Sequence, residues 1–157
     1  LINNFLHGTG IGTQTIIATS IGSNDNEKLN QTTKIINSLN KKIIYVTTLI
    51  IGVAMLIFLP YFLIEKESLI IGYKLLLFVI LDCILSGFYH YYSSILRAMK
   101  EFKYISKLSL FISGGLRLVL AYLLSKMCGI YGVWICFIIS DLIMNILLNK
   151  KIEEVQL

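Results

Sequence analysis

The 157-residue chain contains one proline, Pro60, and only 15% charged residues. Ordinary soluble domains carry about 25% charge, so there are too few ionised groups here to clothe a water-facing surface. The near-absence of proline leaves helices uninterrupted, because proline removes a backbone donor and clashes with the preceding turn. Cysteine is scarce as well. Cys83, Cys128 and Cys136 all fall in apolar segments, with no CxxC pair and no Cys/His ligand spacing. They read as small buried residues, and neither a disulfide nor a metal is expected. No glycine-rich phosphate loop and no nucleophile–base pair occurs, so no catalytic residue and no cofactor is expected. The chain opens at Leu1 without an initiator methionine, and its first apolar stretch lacks the basic flank and small-residue exit of a signal peptide. A missing upstream part is expected.

What is abundant is hydrocarbon: 56% of the residues are hydrophobic. They gather into five segments, at about 1–22, 43–64, 69–96, 108–127 and 129–148. A helix of roughly 20 apolar residues spans a bilayer, and a lone strand in lipid leaves its backbone groups unsatisfied. The expected fold is therefore all-α, a polytopic integral membrane bundle of about five transmembrane helices. Polar connections are expected at 23–42, 65–68 and 97–107. Buried helices of a large soluble protein are the alternative, and five repeats of one bilayer-crossing length weigh against it.

The net charge of +5 suggests either nucleic acid or basic loops beside a membrane. No basic-aromatic cluster sits on a polar segment large enough to hold a nucleic acid, so membrane lipid is the expected partner. Ten of the fourteen basic residues fall in three places: Lys28, Lys34, Lys41 and Lys42; Arg97, Lys100, Lys103 and Lys107; and Lys150 and Lys151. Five alternating spans put all three on one side, which the positive-inside rule makes the cytoplasm. The C-terminus is then cytoplasmic.

Spans that only anchor need no polar groups, so polar residues within them carry the functional information. In span three, Asp82, Ser86, His90, Ser93 and Arg97 recur at steps of four, four, three and four, on one helical face. Tyr89, Tyr91 and Tyr92 flank them. A carboxylate facing lipid costs about 2.5 kcal/mol or more, so Asp82 must face protein, water or a ligand. It either lines a cation-sensitive cavity or joins an interhelical hydrogen-bonded seam. In span four, Ser109, Ser113, Arg117, Ala121 and Ser125 recur every four residues, and Arg117 at mid-span needs a partner: Asp82, Asp141 or helix-end carbonyls. In span five, Asp141, Asn145 and Asn149 share a face, while Tyr131 and Trp134 sit where interfacial aromatics belong. Span one offers Gly8-x-x-x-Gly12 and Thr15-x-x-x-Thr19 as close-packing spacings, and Gln14 as a cavity candidate. His7 reads as an interfacial residue.

Four stretches in order, beginning at Gly10, Ser94, Arg117 and Gly129 and running to Asp25, Lys100, Leu124 and Ile135, resemble motifs of the multidrug and toxic compound extrusion (MATE) transporters. The stretch from Gly10-Ile11-Gly12-Thr13-Gln14 to Gly22-Ser23-Asn24-Asp25 is similar to that family's glycine-rich helix and its Gly-small-Gly/Asn-Asp turn. Ser94-Ile95-Leu96-Arg97-Ala98-Met99-Lys100 resembles its "LRGxG/K" loop. Arg117-Leu118-Val119-Leu120-Ala121-Tyr122-Leu123-Leu124 resembles its "RxPLAYLL" helix, with Val119 where the family often has proline. Gly129-Ile130-Tyr131-Gly132-Val133-Trp134-Ile135 is similar to its "GLYGVWIA" helix entry.

The resemblance implies that residues 1–157 are part of a C-terminal lobe, helices eight to twelve of twelve, whose partner is a missing N-terminal lobe. It implies export of small cationic or amphipathic compounds in exchange for Na+ or H+, from a bacterial plasma membrane. The family's acidic position on this helix would fall nearer Ser86 than Asp82. Candidates for the ion and substrate cavity are Asp82, Ser86, Tyr89, His90, Arg117, Gln14 and Asp141. A lipid-linked oligosaccharide flippase of the same superfamily, and a non-transporting membrane remnant or scaffold, are the competing readings.

Overall fold

A computed structural model describes residues 2–23 and 26–156. All regular structure among the described residues is helical: α1 (Ile2–Gly22), α2 (Asn26–Phe62), α3 (Lys66–Ala98), α4 (Phe102–Ser109), a π-helical segment (Leu110–Leu116), α5 (Arg117–Cys128) and α6 (Ile130–Gln156). The π segment joins α4 and α5 into one rod, Phe102–Cys128. The expected all-α bundle is thus observed, as five rods. Four of them, 29–62, 66–98, 102–128 and 130–155, are long and apolar enough to cross a membrane. The first, α1, is not among those four. Asn3, Asn4, His7 and Gln14, with its many threonines and glycines, dilute its apolar character.

The bundle is apolar outside as well as in. Leu49, Ile50, Leu77, Phe111 and Leu118 are all more than half exposed, a surface that water would not tolerate but hydrocarbon would. The hydroxyls of α1 are hidden by a different device. Thr9, Thr13, Thr15, Thr19 and Ser20 each donate back to a carbonyl three or four residues earlier, at 2.8–3.1 Å. Each bond satisfies the hydroxyl within its own helix.

The helices are longer than the sequence reading has them: 66–68 and 97–98 belong to α3, 102–107 to α4, α6 runs past 148 to Gln156, and the first connection changes most. The polar stretch 23–42, expected as a connection, is helical from Asn26 onward and continuous with the second span. Neither proline nor glycine interrupts 26–51, and Leu29, Thr33, Ile36 and Asn40 recur at helical spacing. Ile36 and Asn40 are buried, and Asn40 Nδ2 donates to Thr13 Oγ1 of α1 at 2.9 Å. An amphipathic face with a polar lock is sufficient to extend the helix. The Asn24-Asp25 turn lies outside the described residues.

Two packing expectations also change. Gly8 and Gly12 of α1 face open space; Gly10 makes the close approach instead, with His90 O and Ser94 Oγ in its place for a Cβ. The buried stripe is Leu6, Gly10, Thr13, Ile17 and Ser20, one helical face offset from the expected glycine pair. Cys83 and Cys136 are buried, but Cys128, at the end of α5, is exposed.

The chain reverses at two helix ends. At the end of α3, Lys100 takes φ 65°, and bonds from Lys100 N to Arg97 O and from Glu101 N to Leu96 O close a Schellman turn. Between α5 and α6, Gly129 takes φ 58°, and Gly132 lies so close to α5 that a Cβ there would run into the Leu124 carbonyl. Backbone cannot yield as a flexible side chain can. Gly132→Ala is expected to destabilise the protein by about 1–3 kcal/mol, the usual cost of overpacking. Thermal unfolding of the variant in detergent checks this, and an unchanged midpoint would show that α5 and α6 can part freely.

Candidate functional site

The face of α3 that carries Asp82, Ser86, Tyr89 and His90 turns toward the π segment, α5 and α6, and encloses with them a cavity of about 300 Å³. Arg117 and Ser113 close it from one side. Asp141, Phe137 and Met144 close it from α6. Six of the seven sequence candidates therefore converge: Asp82, Ser86, Tyr89, His90, Arg117 and Asp141. Gln14 does not join them. It is half-buried on α1, which packs on α2 and α3 and, among the described residues, not on α5 or α6.

Arg117 is held by α6. Its Nη2 donates to Asp141 Oδ1 in a salt bridge, and its Nε donates to Ser140 Oγ at 2.8 Å. The Ser140 hydroxyl in turn donates to Phe137 O at 2.9 Å, and the guanidinium carbon lies 4.7 Å from the Phe137 ring centroid. Of the three partners the sequence left open for Arg117, the structure selects Asp141. Both side chains are largely withdrawn from solvent, at 23% and 17% exposure. Asp82 lines the same cavity and forms no salt bridge among the described residues.

The remaining polar residues of these faces divide their tasks. His90, besides lining the cavity, meets α1, where its ring lies edge-on to His7 at 5.6 Å. Asn145, one turn beyond Asp141, donates to the Leu85 carbonyl of α3 at 2.8 Å, and Asn149 donates to Glu153. Toward the basic end of the bundle a second cavity, of about 530 Å³, is lined by Arg97, Ser106 and Ser109. It shares Tyr89 and Ser113 with the first. Those two side chains border both cavities.

Sequence reasoning did not put Ser113, Phe137, Ser140 or Met144 in the site. Phe137 and Met144 were accessible to it, since 137, 141 and 144 repeat at helical spacing on α6. Ser113 was already on the stripe of Arg117, but the π-helical backbone around it was not accessible. Arg117 N–H bonds to Ile112 O, five residues back, and so bypasses the Ser113 carbonyl that an α-helix would use. This wide turn is invisible to an α-helical spacing rule, and such turns favour functional positions.

Fold and cavity together define a multi-pass membrane protein that carries an ion-paired polar pocket between its helices. The MatE family model matches residues 1–123, and the chain belongs to that family, whose members are transporters. No curated protein and no solved structure matches the chain. The matched stretch includes Asp82, Ser86, His90 and Arg117, while Asp141 lies beyond it.

Removing one partner of a secluded ion pair strands the other charge and costs about 3–5 kcal/mol, whereas replacing both by apolar residues is often neutral. Arg117→Ala is accordingly expected to lower thermal stability strongly, and Arg117→Met with Asp141→Leu to recover most of the loss. Additive costs in that double-mutant cycle would show that the two residues act independently.

Proposed function

We propose that the chain forms part of a secondary active antiporter that exports cationic or amphipathic compounds in exchange for Na+ or H+. One observation carries this reading. Arg117 and Asp141 cancel each other, so the carboxylate of Asp82 supplies the formal charge left over among the acidic and arginine groups of the cavity. A carboxylate in such a setting can hold a metal cation, a proton or the ammonium of an amphipathic compound, with Tyr89 and Phe137 as aromatic walls. It holds one of them at a time. A ligand that binds one conformation better than another shifts the balance between them, so exchange at Asp82 would couple inward ion flow to outward export. The cavity beside Arg97 gives this site a polar approach from the basic end.

The flippase reading needs spare cationic groups to neutralise a pyrophosphate. Arg117 is committed to Asp141, which supports the antiporter reading over it. The full transporter would comprise this lobe and a second, N-terminal one, in a bacterial plasma membrane with the basic ends and the C-terminus on the cytoplasmic side. The remnant reading is separated by the DNA upstream of Leu1: an in-frame helical lobe supports a transporter, and a stop codon supports a remnant.

The test is efflux of a fluorescent cation from cells expressing the full-length gene. Asp82→Asn is expected to reduce the initial rate about tenfold or more, as loss of one charge-assisted contact implies, while the protein still reaches the membrane. Asp82→Glu should retain part of the activity. Equal efflux from Asp82→Asn and wild type would remove Asp82 from the mechanism.

A further inference from the structure

A second recess lies on a different face of the bundle, where α3 and α6 meet α2. Two adjoining cavities of about 420 and 300 Å³ share Tyr92, Asn149 and Glu153. Neither shares a residue with the Asp82 cavity. We propose that this groove binds a monoanionic glycerophospholipid, its phosphate between Lys41 and Lys150 and an acyl chain along Leu85, Phe88 and Ile146.

The argument begins with the polarity gradient. Asn145 bonds the Leu85 carbonyl, which sets these two residues at one level across α3 and α6. At that level the walls are Leu85, Phe88 and Ile146. Two turns further along, the walls are Tyr92, Asn149, Lys150 and Glu153, and the adjoining cavity adds Asn37 and Lys41 from α2. The groove is thus apolar toward the middle of the helices and cationic toward the end where most basic residues collect. A membrane lipid is amphipathic along the same axis. Basic pockets between helices at that level suit anionic headgroups.

Charge and engagement narrow the ligand. Lys151 is occupied by Glu154 at 3.5 Å and by the Tyr104 ring. Lys41 and Lys150 form no salt bridge among the described residues. Glu153 accepts a hydrogen bond from Asn149 at 2.8 Å and subtracts one charge from the two lysines. The recess therefore carries a net single positive charge, which matches one phosphodiester and disfavours a dianionic headgroup. Stacking of Phe88 on Tyr92, at 6.0 Å and 23°, makes a flat aromatic wall for the glycerol and first methylenes. The line running from hydrocarbon to two free ammonium groups distinguishes a lipid from a soluble anion, which needs no apolar slot.

The test is thermal unfolding of the full-length protein in mild detergent, titrated with short-chain phosphatidylglycerol, phosphatidylcholine or inorganic phosphate. Phosphatidylglycerol is expected to raise the midpoint while the other two do not. The variant Lys41→Gln/Lys150→Gln should bind it about thirtyfold more weakly, at roughly fivefold per lysine near an anionic headgroup. Lys41→Arg/Lys150→Arg should bind as wild type does, which shows that a loss in the glutamine variant is one of charge and not of fold. Equal stabilisation by phosphatidylcholine or by inorganic phosphate would overturn the proposal. So would an unchanged response in the glutamine variant, or no response in wild type, as when protein covers the groove.

Discussion

Everything in this bundle turns on one constraint: a charge placed among hydrocarbon-facing helices must be answered inside the protein. Arg117 and Asp141 answer each other across α5 and α6. A guanidinium at mid-span could not stand alone there without a cost of several kcal/mol, and the pair converts two such costs into one interhelical tie. The tie also anchors secondary contacts, since Ser140 accepts from Arg117 and Phe137 lies beneath the guanidinium. Position, not just neutralisation, follows from it. With Arg117 and Asp141 joined, the faces of the π segment and α6 turn toward α3, and the cavity holding Asp82 is what lies between them.

Smaller polar groups obey the same constraint with less range. Serine and threonine hydroxyls of α1 bond their own helix, which lets a helix with modest apolar content coexist with four strongly apolar rods. Asn40 and Asn145 reach one helix further, to Thr13 and to the Leu85 carbonyl. Both tie neighbouring rods by a carboxamide where neither side could be wet. The hydroxyls of α1 settle locally, Asn40 and Asn145 each bridge two helices, and Asp82, Arg117 and Asp141 gather three around one cavity.

Much of this was legible in the residues. Asp82, Ser86, Tyr89 and His90 reach one cavity because a rigid, proline-free helix transmits spacing faithfully, and four-residue steps survive into the fold. Arg117 and Asp141 were legible for an energetic reason, since each is too costly to leave unanswered. What failed to be legible depends on which face a neighbour covers. The spacing of Gly8 and Gly12 is real, yet the packed face of α1 is set by Gly10 against His90 and Ser94. Gln14 had the right chemistry on a helix that, among the described residues, packs on α2 and α3 and not on α5 or α6. The 23–42 stretch had the polarity of a loop, but its helical face of Leu29, Ile36 and Asn40 found partners. In each case the missing knowledge is tertiary: propensity and spacing describe a helix alone, and burial is a property of two.

The charge of the cavity is a sharper instance. Each of the three helices around it contributes one acidic or arginine residue: Asp82 from α3, Arg117 from α5, Asp141 from α6. Inspected singly, each looks equally in need of a partner, and Arg117 could satisfy either carboxylate. Only the assembled geometry says that α5 and α6 take each other. The excess therefore belongs to α3, and it is an excess of negative charge. Had Arg117 paired with Asp82, the leftover carboxylate would lie on α6, at the wall of the same cavity opposite Ser86 and His90. The wide turn at Leu110–Leu116 bears on this choice, because a turn bonded five residues back rotates everything after it relative to everything before. Ser113 and Arg117, four residues apart, face one cavity from a rod whose first half, α4, faces Arg97 and the larger cavity.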